Sequence, residues 1–444
     1  MEISAGDTAW VLTSAALVLL MTPGLAFFYG GMVRSKSVLN MMMMSFVTIG
    51  IVAVLWVLYG FSVAFGDDGN GFWGGLGSVG LTDVADELAA NGGVYPIPLL
   101  AFAMFQLMFA IITPALISGA IADRAKFTTW AVFVGLWATL VYFPVAHWVF
   151  DFGDDELGGQ GDGWLAGLGV LDFAGGTAVH INAGAAGLAL ALVLGRRIGW
   201  PRTLMKPHNL PFVLLGSALL WFGWFGFNAG SALGANATAA VAFTTTMLAT
   251  ATGVLSWLLV ERIRDGRPTS LGAASGAVAG LVAITPACAF VTPIGAVGIG
   301  FLAGTLCALA VSLKFRFGFD DSLDVVGVHL VGGLVGSLAI GLFASTSVNE
   351  LGKDGLFYGG GLDVLGTQAV GSFAVLGYSL VVTLVLGLVL NKTLGFRVPK
   401  DDEVSGIDLA QHAETGYELL PAGGSSPSTG VATHTSSSDR KVHA

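Results

Sequence analysis

Residues 172–195 read DFAGGTAVHINAGAAGLALALVLG, and this stretch decides the architecture. After Asp172 it holds no Asp, Glu, Lys or Arg, and His180 is its one ionisable side chain. A helix needs about 20 mostly apolar residues to cross a bilayer, and the run after the aspartate is long enough. Its apolar residues are continuous rather than alternating, which favours a helix over a barrel strand. Its Gly and Ala residues let neighbouring helix backbones approach closely. The rest of the chain has the same character. Of 444 residues, 54% are hydrophobic and 11% charged, against about 25% charged in an ordinary soluble domain. A soluble fold of this length has too little polar surface to cover itself. That excludes a cytosolic enzyme, a disordered chain and a nucleic-acid binder, and leaves a multi-span protein with the lipid bilayer as its solvent. Gly supplies 65 residues without a collagen period. Cys288 and Cys307 lie in apolar runs and imply no disulfide framework.

Apolar runs between charged breaks give eleven candidate spans, near 9–33, 40–65, 97–122, 128–150, 172–195, 210–231, 236–260, 270–290, 293–313, 325–345 and 365–391. Basic residues collect in cytoplasmic loops. Here eighteen of the nineteen, from Arg34 and Lys36 to Arg440 and Lys441, follow odd-numbered spans; Lys353 is the exception. The expected architecture is therefore an all-α polytopic membrane protein with its N-terminus outside and its C-terminus in the cytoplasm. The first run lacks a basic n-region and is too long for a signal peptide, so it reads as span one. Acidic residues 67, 68, 83, 86, 87, 151, 154, 155, 156 and 162 fall in outer loops. They solvate that face, or mildly concentrate a cation at a pore mouth. Three parts follow: a transmembrane domain over 1–393, a charged amphipathic cytoplasmic tail over 394–420, and a disordered Gly/Ser/Thr-rich tail over 421–444.

Ionisable residues inside spans are functional candidates by default. Of seven histidines, His180 and His329 lie well inside predicted segments. Their settings match. Asp172 and Asp321 each precede the histidine by eight residues, and Val179 and Val328 stand just before it. Gly184 and Gly333 follow at +4, Gly187 and Gly336 at +7. Spans five and ten run in opposite directions, so the chain reads as a 5+5 inverted repeat with an extra eleventh helix. Eight residues at 1.5 Å each put both imidazoles roughly 12 Å into a ~30 Å core, near the pseudo-two-fold axis. A lone histidine there ordinarily bonds a carbonyl in a helix interface. Two at matched depth favour a narrow path for a small polar molecule, since neutral imidazoles each offer one donor and one acceptor. Two ligands without a nearby Cys or carboxylate make a weak metal site, so no metal and no cofactor are expected. No nucleophile–base pair appears, and Gly158-Gly-Gln-Gly161 lacks the Gly-Lys-Ser/Thr of a phosphate loop, so an enzyme is not expected.

The run Asp172–Gly184 resembles the signature of the ammonium transporter family (Amt/Mep/Rh). Pro23–Gly31, Gly223–Ser231 and Asp320–His329 resemble further family segments, and the resemblance spans about residues 8–420. It implies a homotrimer of eleven-helix subunits, each with its own pore. It makes His180 and His329 the twin pore histidines, and Asp172 the buried acid beneath the outer recruitment site. Asp172 also stands where a carboxylate satisfies free helix N–H groups. Phe105 and Phe109 resemble the pair that gates the outer pore, Phe227 the second gate phenylalanine, and Ser231 the hydroxyl that accepts from the cation. Taken alone, an i, i+4 Phe pair in a membrane helix is core packing or lipid-facing. Relatives commonly carry Trp at the outer end of span four, where this chain has Phe150. Phe gives a weaker π-face and no N–H; Phe150, Trp148 or Trp164 takes that role, with Trp224 a further aromatic candidate.

The mechanism so implied has ammonium docking at Phe109, Phe150 and Ser231 and losing a proton near Phe105, Phe109 and Phe227. Ammonia then passes His180 and His329, with net charge movement. Methylammonium serves as an analogue. Residues 400–418 resemble the family tail that contacts PII-type signalling proteins. A sensor (transceptor) and a neutral gas or urea channel are the competing functions.

Overall fold

The computed structural model describes residues 2–66, 69–82, 95–152, 163–203 and 205–417. Among them, ten helices are long and apolar enough to cross a membrane. They are α1 (Ala5–Met32), α2 (Val38–Phe65), α3 (Leu99–Ile121), α4 (Phe127–Phe150), α5 (Gly176–Leu194), α6 (Leu210–Gly230), α7 (Ala237–Arg264), α9 (Pro293–Phe317), α10 (Val326–Phe343) and α11 (Asp363–Thr393). Between α7 and α9 lies α8 (Ser270–Ile284), a shorter apolar helix. It stops before the expected 290 because Pro286 cannot donate the next ladder bond and restricts Thr285; turns carry the chain on to Phe290. The chain is a multi-pass, all-helical membrane protein. Most of the acidic outer-loop residues, and the tail beyond 417, lie outside the described residues.

Helix starts follow local chemistry. Ser4, Asn209, Asn236, Thr269 and Thr292 each accept a backbone N–H three residues on, which satisfies donors that a helix start leaves orphaned.

The halves pack alike. Contacts of α1 with α2 and α3 recur as α6 with α7 and α8, and those of α2 with α3 and α4 recur as α7 with α8 and α9. The α3–α5 contact recurs as α8–α10; α1 packs along α6, and α5 crosses α10. Glycines permit the crossing. A Cβ on Gly184 would strike the Leu330 backbone, and one on Gly333 would crowd the Gly176 carbonyl and Ile181. Both histidine segments leave the α-helical ladder for π-helical turns, at Gly176–Ile181 and Val326–Leu330. Such turns are rare and cluster at functional sites.

Basic residues gather at one end of the bundle. Arg197 grips the Asp320 carboxylate through Nε and Nη2, each at 2.9 Å. Burial alone would raise the Asp320 carboxyl, but the Arg197 bonds and charge outweigh it and hold the carboxyl below its usual range. Arg124 is wholly buried and donates to the Ala120 and Asp320 carbonyls. Desolvation pushes its guanidinium down to about 10, still charged at neutral pH. The tail folds onto this end as α12 (Lys400–Ser405) and α13 (Ile407–His412). Asp408 accepts from Leu39 N and Asn40 N at the start of α2. Glu403 accepts from Ile198 N and from Arg397, and Arg34 donates to its carbonyl.

Candidate functional site

At the end opposite the basic cluster, a vestibule opens between α2, α3, α4 and α6. Its lining includes Gln106, Phe109, Phe150, Asp151, Phe173 and Ser231. Phe109 and Phe150 meet edge-on at 6.5 Å between centroids. Ser231 Oγ donates to the Phe227 carbonyl at 2.8 Å, which commits its proton to the helix and turns its oxygen into an acceptor.

Between the vestibule and the cavity beneath it, Phe109 and Phe227 pack together. Their rings lie 4.2 Å apart at 35°, and both are buried. Phe105 packs edge-on against Phe109 at 5.0 Å and lines neither this vestibule nor the cavity beneath. The helical spacing that joins Phe105 to Phe109 thus delivers one ring to the path and one to the packing behind it.

Beneath the rings lies a narrow cavity lined by His180, His329, Trp224, Phe227, Leu25 and Val179, among others. The two histidine Nδ1 atoms are 3.3 Å apart, and the ring planes are tilted by 27°. One Nδ1 must donate and the other accept. Two neutral rings sharing one proton in this way present opposite faces at Nε2, one a donor and one an acceptor. His180 Nε2 is buried with no hydrogen-bond partner among the described residues. Trp224 stacks on His180 at 5.3 Å and donates Nε1–H to Thr285 Oγ1 at 2.8 Å. The indole thereby fixes the imidazole plane.

Asp172 lies behind the vestibule at the start of α5. Its oxygens accept from the N–H groups of Gly175, Gly176, Thr177 and Ala178 at 2.7–3.2 Å. Burial raises this carboxyl above its usual range, and the four donors oppose that shift by favouring the ionised form. Gly175 makes this possible: its φ of 111° turns the chain so that successive N–H groups converge.

Trp148 and Trp164 are elsewhere. They pack against each other at 5.5 Å, and Trp148 Nε1 donates to the Phe72 carbonyl. Neither is on the vestibule lining, where Phe150 stands. Sequence reasoning missed Gln106 and Phe102, although 102, 106 and 109 share one helix face by their +4 and +3 spacing. The sequence places Asp151 among the outer-loop acids that solvate that face or mildly concentrate a cation at a pore mouth, and the structure puts it on the vestibule lining. Among the described residues no group of three or more metal-ligating side chains assembles.

Comparison with known proteins covers the whole arrangement. The Ammonium Transporter Family profile matches residues 9–417. An ammonium transporter of Mycobacterium tuberculosis (strain H37Rv) is 60% identical over 439 residues, covering 95% of this chain and 92% of the relative. The crystal structure of Mep2 from Saccharomyces cerevisiae superposes with a TM-score of 0.82 at 37% identity, covering 90% of this chain and 89% of that one. A structure described as a sensor Amt protein gives a TM-score of 0.82 at 29% identity, covering 92% and 98%.

Proposed function

The chain belongs to the Ammonium Transporter Family, and from that premise we propose that it takes up ammonium by recruiting the cation, stripping a proton and conducting ammonia past two histidines. The observation that carries this reading is the His180–His329 pair, 3.3 Å apart beneath a closed pair of phenylalanines. A compact cation is costly to move through an apolar cavity, whereas ammonia is neutral and both donates and accepts. The donor and acceptor offered by the paired imidazoles suit it. In this scheme ammonium docks in the vestibule against Phe109, Phe150 and Ser231, and the four-fold-capped Asp172 supports positive charge there at long range. The proton leaves at the Phe109/Phe227 constriction, with Phe105 backing Phe109. Ammonia passes the histidines and is reprotonated at the basic end, which is the cytoplasmic one by its Arg and Lys content. Transport carries net charge. Methylammonium competes, because it presents a similar head, and K+ is rejected, because it has no proton to lose.

The functional unit in this reading is a homotrimer with one pore per subunit. The tail segment over 400–418 is the contact for a PII-type signalling protein, and its docking on α2 through Asp408 ties that contact to the bundle. A sensor role is the second reading, favoured by the likeness to the sensor Amt structure.

Ammonium-evoked current and methylammonium uptake in proteoliposomes test the scheme. The native chain gives both, and the double variant His180→Ala, His329→Ala loses at least about tenfold of the current, equivalent to about 1.4 kcal/mol on the barrier. Undiminished uptake by the double variant would sink the conducting role of the pair. Ammonium-dependent partner binding without flux would favour the sensor.

A further inference from the structure

Asp151 takes no part in the scheme above, yet it occupies an unusual place. Its side chain is only 10% exposed, and it lines the vestibule beside Phe109, Phe150 and Ser231. Among the described residues it is the only charged side chain on that lining. It is also built in. His147, one turn earlier on α4 and almost fully buried, sets Nδ1 3.0 Å from Asp151 Oδ2. The same ring places Nε2 2.6 Å from the Asn70 carbonyl, while Nδ1 lies 3.2 Å from the Ala64 carbonyl. The backbone adds two ties: Asp151 N donates to the His147 carbonyl, and Gly163 N donates to the Asp151 carbonyl. The carboxylate is therefore fixed relative to both the end of α4 and the loop around Asn70.

The rest of the lining explains what such a carboxylate is for. The rings facing the vestibule are largely phenylalanines, which offer a weaker face to a cation than an indole does. Ser231 and Gln106 add only neutral dipoles. A carboxylate supplies about four lone-pair sites, so it can accept from a cation while its neighbours hold it. A short N+–H···O− bond is roughly twice as strong as a neutral one.

We propose that Asp151, positioned by His147, is the anionic contact of the vestibule: an N–H of ammonium or methylammonium donates to its carboxylate while the cation rests against Phe109 and Phe150. This assignment rests on the vestibule being the recruitment site. Asp151 sits on the open side of the Phe109/Phe227 constriction and is absent from the histidine cavity. It therefore sets how much ammonium fills the site and not how fast ammonia crosses below.

The test is the concentration dependence of methylammonium uptake into proteoliposomes holding the full chain, normalised to reconstituted protein. Asp151→Asn raises the half-saturating concentration about tenfold, or about 1.4 kcal/mol, with a maximal rate unchanged. Adding Phe150→Trp to that variant recovers part of the shift, since the indole strengthens the π-face. The native protein carries the same test without a substitution: raising ionic strength from about 0.01 M to about 0.1 M shortens the Debye length from ~30 to ~10 Å and raises its half-saturation. An Asp151→Asn variant with unchanged half-saturation, or with only a lower maximal rate, overturns the assignment, as does a salt-independent native protein. Ser231→Ala separates the two levels. If it shifts half-saturation while Asp151→Asn does not, the carboxylate contact fails and the recruitment site stands. If neither shifts it, the recruitment reading fails as well.

Discussion

The starts of α5 and α10 solve one problem in two ways. Asp172 and Asp321 both stand eight residues before a buried histidine and both cap their helix. Asp172 collects four N–H groups. Asp321 collects two, from Val325 and Val326. The turn at +3 is left-handed in both halves, but it is Gly175 at φ 111° in one and Asp324 at φ 63° in the other. The residue at −1 differs in the same sense. Leu171 is held through its backbone by the neutral Gln368 amide, whereas Asp320 is held by the Arg197 guanidinium. At α10, Lys314 bonds both the Asp321 carbonyl and the Asp324 carboxylate. A carboxylate with four N–H donors needs no counter-ion, whereas one with two sits among charges. The start of α5 thus carries no carboxylate but Asp172, and the start of α10 spends its side chains on ion pairs.

The largest test of that contrast removes each cap. Asp172→Ala orphans four buried N–H groups at about 1–3 kcal/mol each, so at least ~4 kcal/mol of stability is expected to vanish. Asp321→Ala should cost about half as much. Denaturant or thermal unfolding in detergent reads both, and equal losses would break the comparison. Next in size is the turn. Gly175→Ala forces a side chain into the left-handed region, about 1–2 kcal/mol, while Asp324→Gly relieves that same strain and loses only the partly exposed Lys314 pair, for a net change below ~1 kcal/mol. The same unfolding assay ranks them, and a costlier Asp324→Gly would show that the ion pair dominates the turn.

The last effect is a slope with pH, and it rests on a single carboxyl. Burial raises the Asp321 carboxyl to about 6, against the opposing pull of Lys314, and the unfolded value is about 3.9. A raised carboxyl contributes stability that is complete below the unfolded value and is lost as pH rises through about 6. The native protein should therefore lose stability relative to Asp321→Asn between about pH 4 and pH 6, by no more than about 1.4 kcal/mol per pH unit. Asp320 works the other way: its lowered carboxyl stabilises above about pH 4 and fails on further acidification. Parallel pH curves for native and Asp321→Asn protein would show that burial does not raise the Asp321 carboxyl.

Much of this was legible in the chain itself. The spans follow from run length, because an unsatisfied backbone in lipid has no alternative but helix. The histidines stood out because so few ionisable residues share their depth, and the matched Asp–His–Gly spacings exposed the repeat. The end of α8 was misread by several residues, since apolarity continues through Pro286 while helical hydrogen bonding does not. The vestibule was harder. Phe105 and Phe109 are indistinguishable by spacing, yet it is Phe109 that packs on Phe227, 4.2 Å between centroids. Trp148 was as good a candidate as Phe150 by composition, yet its indole turns to Phe72 and Trp164.

The sequence by itself determined which segments are apolar enough to span, where the positive charge lies and which polar groups are placed at mid-depth. Those properties are additive along the chain, so they survive without a fold. Only the tertiary structure decided that the two histidines touch through Nδ1, that one phenylalanine of a pair packs on Phe227, and that Asp151 turns into the vestibule while His147 holds it. Each of these depends on the rotation of one helix about its axis against another, which glycine contacts such as Gly184 on Leu330 fix and which no single span encodes.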